Sequence, residues 1–196
     1  MIKLYGTPLS RAARCLWMLR EVGVPFENVP THFAGEAQSA EFRKINPNGR
    51  VPALDDDGLV LFESLAINLH LAEKYGKDLG PRDQTERAQQ VQWSIWAVTE
   101  LEPGVIDAFL HRVMLPEAQR NAKLADAGEA KLARPLAVLD AELGRRDWLV
   151  GGRFTVADLN VASVLMVAPI ARIDLTSFPR LQRWLGACTT RPAARG

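Results

Sequence analysis

Two short stretches carry side chains suited to handling negative charge. Glu63-Ser64 puts an acid directly before a serine that opens an apolar helix pattern, Ser64–Tyr75. A hydroxyl and free main-chain amides at a helix start form an anion site, here beside a carboxylate. The plain reading of the pair is an ordinary helix cap with a solvated acid. Ser10 lies in the loop between an apolar run, Ile2–Tyr5, and the first helix pattern. It is either the cap of that helix or a hydroxyl aimed, with nearby amides, at a ligand. Thr7 shares the loop. Other residues point away from chemistry. His32, His70 and His111 lack metal-ligand spacing, and His70, on an apolar helix, reads as a packed histidine. Cys15 and Cys188 form no CxxC pair, so a zinc site and a disulfide framework are not expected and a reducing cytoplasm is the default. Cys15 falls on a core-facing position. Asp158 sits third after Thr155 in a capping box, which is a structural place for an acid.

The first 75 or so residues alternate between strand and helix signals. After Ile2–Tyr5, Gly6-Thr7-Pro8 breaks the run; Ala12, Cys15, Leu16, Leu19 and Val22 then share one helix face, ended by Gly23 and Pro25. Phe26–Val29 reads as a second strand and 36–44 as a weak helix. Asn46-Pro47-Asn48-Gly49 is turn chemistry. Asp55-Asp56-Asp57-Gly58 between two apolar runs predicts a hairpin. The order is β-α-β, an irregular joint, then β-β-α.

Beyond Gly76 the pattern is helical throughout. Gly80-Pro81 marks a linker. Asp83-Gln84-Thr85-Glu86 is a capping box opening a helix with Val91, Ile95 and Val98, which Pro103 should kink or end. A second stretch, 116–146, contains Gly128 and Pro135, so a bend or break is expected there. Thr155–Asp158 opens a nearly all-apolar helix with Phe154 and Leu159 at staple spacing, and 178–189 is a final amphipathic helix. The domains expected are 1–76, a linker 77–84, and a helical domain 85–196.

Composition narrows the partners. The chain has 196 residues, 24 Lys plus Arg against 23 Asp plus Glu, and a net charge of +1. With no basic run or tail, nucleic acid is not an expected partner. The longest apolar stretch, around 161–171, is broken by Ser163 and Pro169 and is too short for a membrane span.

Taken in order and spacing, several motifs resemble one family. They are Leu4-Tyr5 through Ser10 and Arg14, the run from Asn46 to Leu54, Leu61-Phe62-Glu63-Ser64-Leu65-Ala66-Ile67, and Phe154-Thr155-Val156-Ala157-Asp158. The whole chain is similar to the cytosolic glutathione transferases, of the bacterial, serine-type, theta- and phi-like kind. The resemblance implies an α/β plus all-α protein, a thioredoxin-like domain followed by a helical bundle. It implies glutathione as co-substrate, no metal, a small hydrophobic electrophile as second substrate, and a homodimer.

By that resemblance Ser10 faces the glutathione sulfur, with Thr7 as rival. Glu63 takes the γ-glutamyl ammonium and Ser64 its carboxylate. Val51-Pro52 is expected to be cis, turning the Val51 backbone outward to pair with the cysteinyl backbone. Relatives often carry a His or Lys near 36–39; here Ala37 and Gln38 stand there, Gln38 as a glutathione-binding candidate without charge, and Arg50 could take over the glycyl carboxylate. The electrophile is expected against Leu9, Arg11, Trp96, Thr99, Pro103, Ile106 and His111. A non-catalytic binding module of the same fold, or a glutathione-dependent isomerase, dehalogenase or peroxidase, stays open as the alternative.

Overall fold

Four strands and four helices build the first part of the chain. In this computed structural model, which describes residues 1–195, these are β1 Ile2–Tyr5, α1 Ala12–Val22, β2 Phe26–Val29, α2 Phe42–Ile45, β3 Ala53–Asp56, β4 Leu59–Phe62 and α3 Ser64–Tyr75, joined by the short terminal helix Pro192–Arg195. The sheet order is β2-β1-β3-β4. β1 and β2 run parallel, as a helical crossover requires, and β3 and β4 are antiparallel to their neighbours. Leu4 and Leu54 in the sheet, Cys15, Met18 and Leu19 on α1, and Ile67 and Leu71 on α3 are fully buried. Burial pushes the Cys15 thiol up, so it stays protonated and inert. Gly23 ends α1 at φ +68, its N–H returning to the Leu19 carbonyl at 3.1 Å.

Asp57 and Gly58, at φ +53 and +93, turn the hairpin between β3 and β4. The expected helix over 36–44 is split. A 3-10 turn, Glu36–Gln38, precedes α2, and the Ser39 Oγ takes the Phe42 N–H at 3.1 Å, opening a new helix rather than extending the old turn. His70 is more than a packed histidine. The buried Asp56 carboxylate accepts from His70 Nε2 at 2.7 Å, Lys74 Nζ at 2.8 Å and Tyr75 OH at 2.7 Å. Burial raises the Asp56 pKa, but these three bonds outweigh it and hold the carboxyl at about 2.

The chain divides after Arg82, and Asp83–Arg191 forms a second compact unit. It contains α4 Gln84–Trp96, α5 Glu102–Phe109, α6 Ala122–Glu142, α7 Val156–Leu165 and α8 Pro179–Thr189, the terminal helix being α9. Pro103 does not end the first helical run. A π-helical turn, Ala97–Leu101, precedes α5, Pro103 occupies its first turn, and a second π turn, Leu110–Met114, follows. Proline is tolerated in a first turn because its missing N–H has no partner to lose there. The Val91, Ile95 and Val98 stripe is 39%, 56% and 37% exposed, so it is not core.

The helical stretch expected over 116–146 starts later, at Ala122. Asn121 caps it by accepting from the Lys123 and Leu124 amides. It then runs unbroken through Gly128 and Pro135. Gly128 is there for contact. A Cβ on it would lie 2.5 Å from the Asp107 Cβ, and one on Gly104 would lie 2.7 Å from the Gly128 carbonyl, so α5 and α6 meet backbone to backbone. The capping box at α7 is complete, and every residue of α7 is buried. Asp158 accepts from Leu149 N at 2.9 Å, Thr155 N at 3.0 Å and Trp184 Nε1 at 2.9 Å. Burial pushes its carboxyl up to about 6 against these donors. Among the described residues no helix is long and apolar enough to cross a membrane.

Candidate functional site

Strand register brings distant sequence to one end of the sheet. Tyr5 pairs with Ala53, and Ala53 with Phe62, forming a row across β1, β3 and β4. One step beyond this row lie Gly6, Pro52 and Glu63. The loop to Ser10, the Val51-Pro52 bond and the start of α3 therefore all emerge at that end. Helices α1 and α3 both begin there, with the positive ends of their dipoles.

Gly6 lets these segments close in. It sits at φ +146, and a Cβ on it would lie 2.5 Å from the Ala12 Cβ, 3.5 Å from the Val51 Cβ and 3.6 Å from the Ser10 Oγ. Ser10 and Val51 therefore flank the same small space. The half-buried Ser10 hydroxyl donates to the Thr7 carbonyl at 2.8 Å and accepts from the Ala12 N–H at 3.1 Å. It thus does the work of a cap, although Arg11 is the formal cap residue. The Thr7 hydroxyl makes no hydrogen bond among the described residues.

Glu63 is exposed and holds φ +71, a conformation costly to a residue with a Cβ and concentrated at functional sites. Ser64 follows as the first residue of α3 and is buried. Arg14, itself buried at 7% exposure, donates from Nη1 to the Ser64 Oγ at 3.4 Å. The Ser64 proton is thereby left free to be donated onward, next to a buried guanidinium. Arg14 was not singled out from sequence as a site residue. The available signal was a charged residue among the apolar positions of α1, since a buried charge needs a partner.

The Val51-Pro52 bond is cis, and Val51 packs on the small cluster of Ala37, Phe42 and Ala53. Tyr5 packs there too, its ring 6.0 Å from Phe42, as a strand residue rather than a site tyrosine. Gln38 is engaged in holding its own loop. Its Nε2 donates to the Phe33 and Gly49 carbonyls, each at 2.8 Å, and its Oε1 accepts from Arg43 Nη2 at 3.1 Å. Arg43 is thus a second cation at the turn before Val51, missed in sequence because 36–44 read as one featureless helix. Arg50 is exposed; its carbonyl accepts from Asn46 Nδ2 at 2.6 Å, and its guanidinium makes no ion pair among the described residues.

The residues expected at the electrophile divide between the units. Leu9 and Arg11 flank Ser10 in the first, Leu9 being 91% exposed. Trp96, Thr99, Pro103, Ile106 and His111 lie along the run from α4 through the second π turn. Trp96 meets Trp93 edge to face at 5.1 Å, and the Thr99 hydroxyl is taken by the Ile95 carbonyl at 3.1 Å. His111 keeps a buried Nδ1 without a partner among the described residues. Those residues contain no cluster of three or more His, Cys, Asp or Glu able to hold a metal ion.

A four-stranded sheet whose one end gathers two helix starts and a cis-proline is a thioredoxin-like arrangement. Known proteins place it in a family. Residues 1–73 match the glutathione S-transferase N-terminal domain, and residues 101–192 match the glutathione S-transferase C-terminal domain. The chain is 34% identical over 200 residues to glutathione S-transferase GstB of Escherichia coli K12, covering 100% of this chain and 96% of that one. It is 34% identical over 206 residues to glutathione S-transferase 3 of Zea mays, covering 98% and 90%. Among solved structures, the theta class glutathione S-transferase of Xanthomonas axonopodis pv. citri, with glutathione bound, superposes at a TM-score of 0.92 with 32% identity, covering 99% of this chain and 95% of that one. Ure2p5 of Phanerochaete chrysosporium, cocrystallised with 1-(S-glutathionyl)-2,4-dinitrobenzene, gives 0.87 at 28% identity, covering 99% and 91%. The chain belongs to the glutathione S-transferase family.

Proposed function

We propose that this protein joins glutathione, through a new bond from its thiolate sulfur, to a small hydrophobic electrophile, with Ser10 supporting the thiolate. The observation that carries the reading is the convergence of Ser10, Val51-Pro52 and Glu63-Ser64 at one end of the sheet, set by the Tyr5–Ala53–Phe62 row. Glutathione is a peptide with a zwitterionic head, a thiol and a terminal carboxylate. Its ammonium suits the exposed Glu63. Its γ-glutamyl carboxylate suits the Ser64 hydroxyl and the amides at the start of α3, with Arg14 adding positive charge behind them. The Val51 backbone is the edge for the cysteinyl residue, and Arg50, with Gln38 and Arg43 near, is the cation for the glycyl carboxylate. Glutathione complexes of the superposing structures support this ligand.

Chemistry then turns on one proton. A free thiol has a pKa of about 8.5, so little of it is thiolate at neutral pH. A hydroxyl donor that bonds only the ionised sulfur lowers that pKa. To do so Ser10 must release the Thr7 carbonyl and rotate its single O–H toward the sulfur. The same bond favours the competing reading, in which Ser10 only caps α1 and the protein binds glutathione without activating it.

The test is the thiolate absorbance of bound glutathione against pH in wild type and Ser10→Ala. Activation by Ser10 predicts a rise of one to two units, equivalent to about 1.4–2.7 kcal/mol, and a rate at pH 7 lower by about one to two orders of magnitude. Part of that loss should return in alkali. Superimposable titrations, with stability lower by about 1 kcal/mol, would assign Ser10 to capping and pass the role to the unbonded Thr7 hydroxyl.

A further inference from the structure

Helix α3 carries the Glu63-Ser64 pair at its start, and one carboxylate ties its far half to the sheet. Asp56 is the last residue of β3, on the same face of the strand as Leu54. Its Oδ2 accepts from His70 Nε2 at 2.7 Å and Lys74 Nζ at 2.8 Å, and its Oδ1 from Tyr75 OH at 2.7 Å. Both oxygens of a fully buried carboxylate are thus engaged by donors from two successive turns of α3. A pKa of about 2 keeps the group charged at neutral pH, so the tie is permanent there.

What the tie holds apart lies at the other ends of the two elements. β3 begins at Ala53, directly after Val51-Pro52, and α3 begins at Ser64, directly after Glu63. Asp56 sits about 13 Å along the strand from Pro52, and its partners sit about 9 to 16 Å along the helix axis from Ser64. The hydrogen bonds from Arg14 Nη1 and Cys15 Sγ to Ser64 hold the start of α3 against α1. Ile67 and Leu71 add apolar contact, which has no direction and resists sliding and turning weakly. Three directed bonds to one carboxylate fix both motions against β3. With side chains a helix has a radius of about 5 Å, so a turn of about 10° moves a side-chain tip by about 1 Å. A misplacement of that size is enough to cost a positioned site about a hundred-fold.

We infer that Asp56 is a positioning residue for glutathione: it sets the spacing between the Val51 backbone and the Glu63-Ser64 pair, so that one ligand engages both. This role rests on the glutathione reading of that end of the sheet. Asp56, His70, Lys74 and Tyr75 lie toward the opposite ends of β3 and α3, so they act through position and not through contact with the ligand. A ligand held at two places gains from the second contact only where its span fits. Glutathione spans the two, with its cysteinyl backbone at Val51 and its γ-glutamyl head at Glu63-Ser64. A γ-glutamyl fragment engages only the start of α3, where Glu63 and Ser64 are adjacent in sequence and move together. Loosening the tie therefore harms the spanning ligand and spares the fragment.

The whole chain is titrated with glutathione by calorimetry and with γ-glutamylmethylamide by nuclear magnetic resonance, as wild type, Asp56→Asn and Tyr75→Phe. Asp56→Asn should weaken glutathione about ten-fold or more and the fragment by less than about two-fold. Tyr75→Phe leaves two of the three donors in place and should weaken glutathione about three-fold, with the fragment unchanged. Equal fold-losses for the two ligands in a folded variant would mark a general loosening of α3 and overturn the inference. Unchanged glutathione affinity in both variants would overturn it too. Should Asp56→Asn fail to fold, the ratio of losses in Tyr75→Phe decides in the same way. A wild type that does not bind glutathione would remove the site itself and this role with it, whereas one that binds leaves the variants to judge Asp56 alone.

Discussion

In the first unit, proximity in sequence decided which side-chain placements could be read. The placement of Ser10, Glu63 and Ser64 is legible because the features that set it are local: a strand end, a helix start, a turn. Arg14 is not, because its partner Ser64 lies 50 residues away and only folding joins them. Gln38 is likewise tied through folding: its amide spans the Phe33 and Gly49 carbonyls, bonds that no pattern foretells. The Arg14–Ser64 contact makes a prediction. Ser64→Ala and Glu63→Ala should each weaken glutathione binding by about 1–3 kcal/mol in isothermal titration, by loss of a charge-assisted partner. Arg14→Met should weaken it too, but adding it to Ser64→Ala should cost little more, since Arg14 acts through that hydroxyl. Strictly additive losses would mean that Arg14 and Ser64 work independently.

At the scale of elements, caps and turns were legible and accommodations were not. The Thr155–Asp158 box and the Asp57-Gly58 turn are fixed by short-range chemistry, and both stand as the sequence indicates. Prolines and glycines misled, because their effect depends on what lies opposite. Gly128 looked like a helix breaker, yet it is where α5 approaches α6. Pro103, expected to kink or end its helix, sits in the first turn after a π-helical segment and does not end the run. The tie between β3 and α3 was hidden for the same reason, since Asp56 gathers His70, Lys74 and Tyr75 from one helix. Its pH dependence follows. The folded pKa, about 2, lies below the ordinary 3.8, so the stabilisation is fully present above about pH 4 and is lost as pH falls toward 2. Its size is about 2 kcal/mol. Urea denaturation at pH 6 and pH 2.5 should show that wild type loses about this much more than Asp56→Asn does. Parallel losses would show that the three bonds do not favour the ionised carboxyl.

At the scale of the whole molecule, apolar surface left in the open is the main unexplained quantity. Leu59, Val60 and Phe62 on β4 are 47%, 42% and 41% exposed, and β4 is an edge strand. In the second unit the Val91, Ile95 and Val98 stripe, on α4 and the π turn that follows it, is equally uncovered. A helix face apolar at this spacing ordinarily lies against something. The expected partner is a second copy of the chain in a two-fold dimer, and these are the faces it would cover. Sedimentation at micromolar protein should give twice the 21.7 kDa chain mass. Phe62→Glu or Ile95→Glu should return it toward the monomer. A wild-type protein that sediments as a monomer at all such concentrations would leave these faces without that role.

The two π turns between α4 and the end of the run have a consequence for how such a chain can change over generations. A π turn holds one residue more than the α turn it replaces, and each residue of an α-helix advances the azimuth by about 100°. Deleting a single residue from Ala97–Leu101 would turn that π turn back into an α turn and leave everything beyond it, Ile106 and His111 included, at about the same azimuth. The same deletion within the regular winding of α5 has no surplus residue to absorb it and would swing the residues that follow by about 100°. Gain or loss of a single codon can thus be taken up at a π turn without exchanging the face that follows. In this stretch the chain can change its length and keep its facing residues.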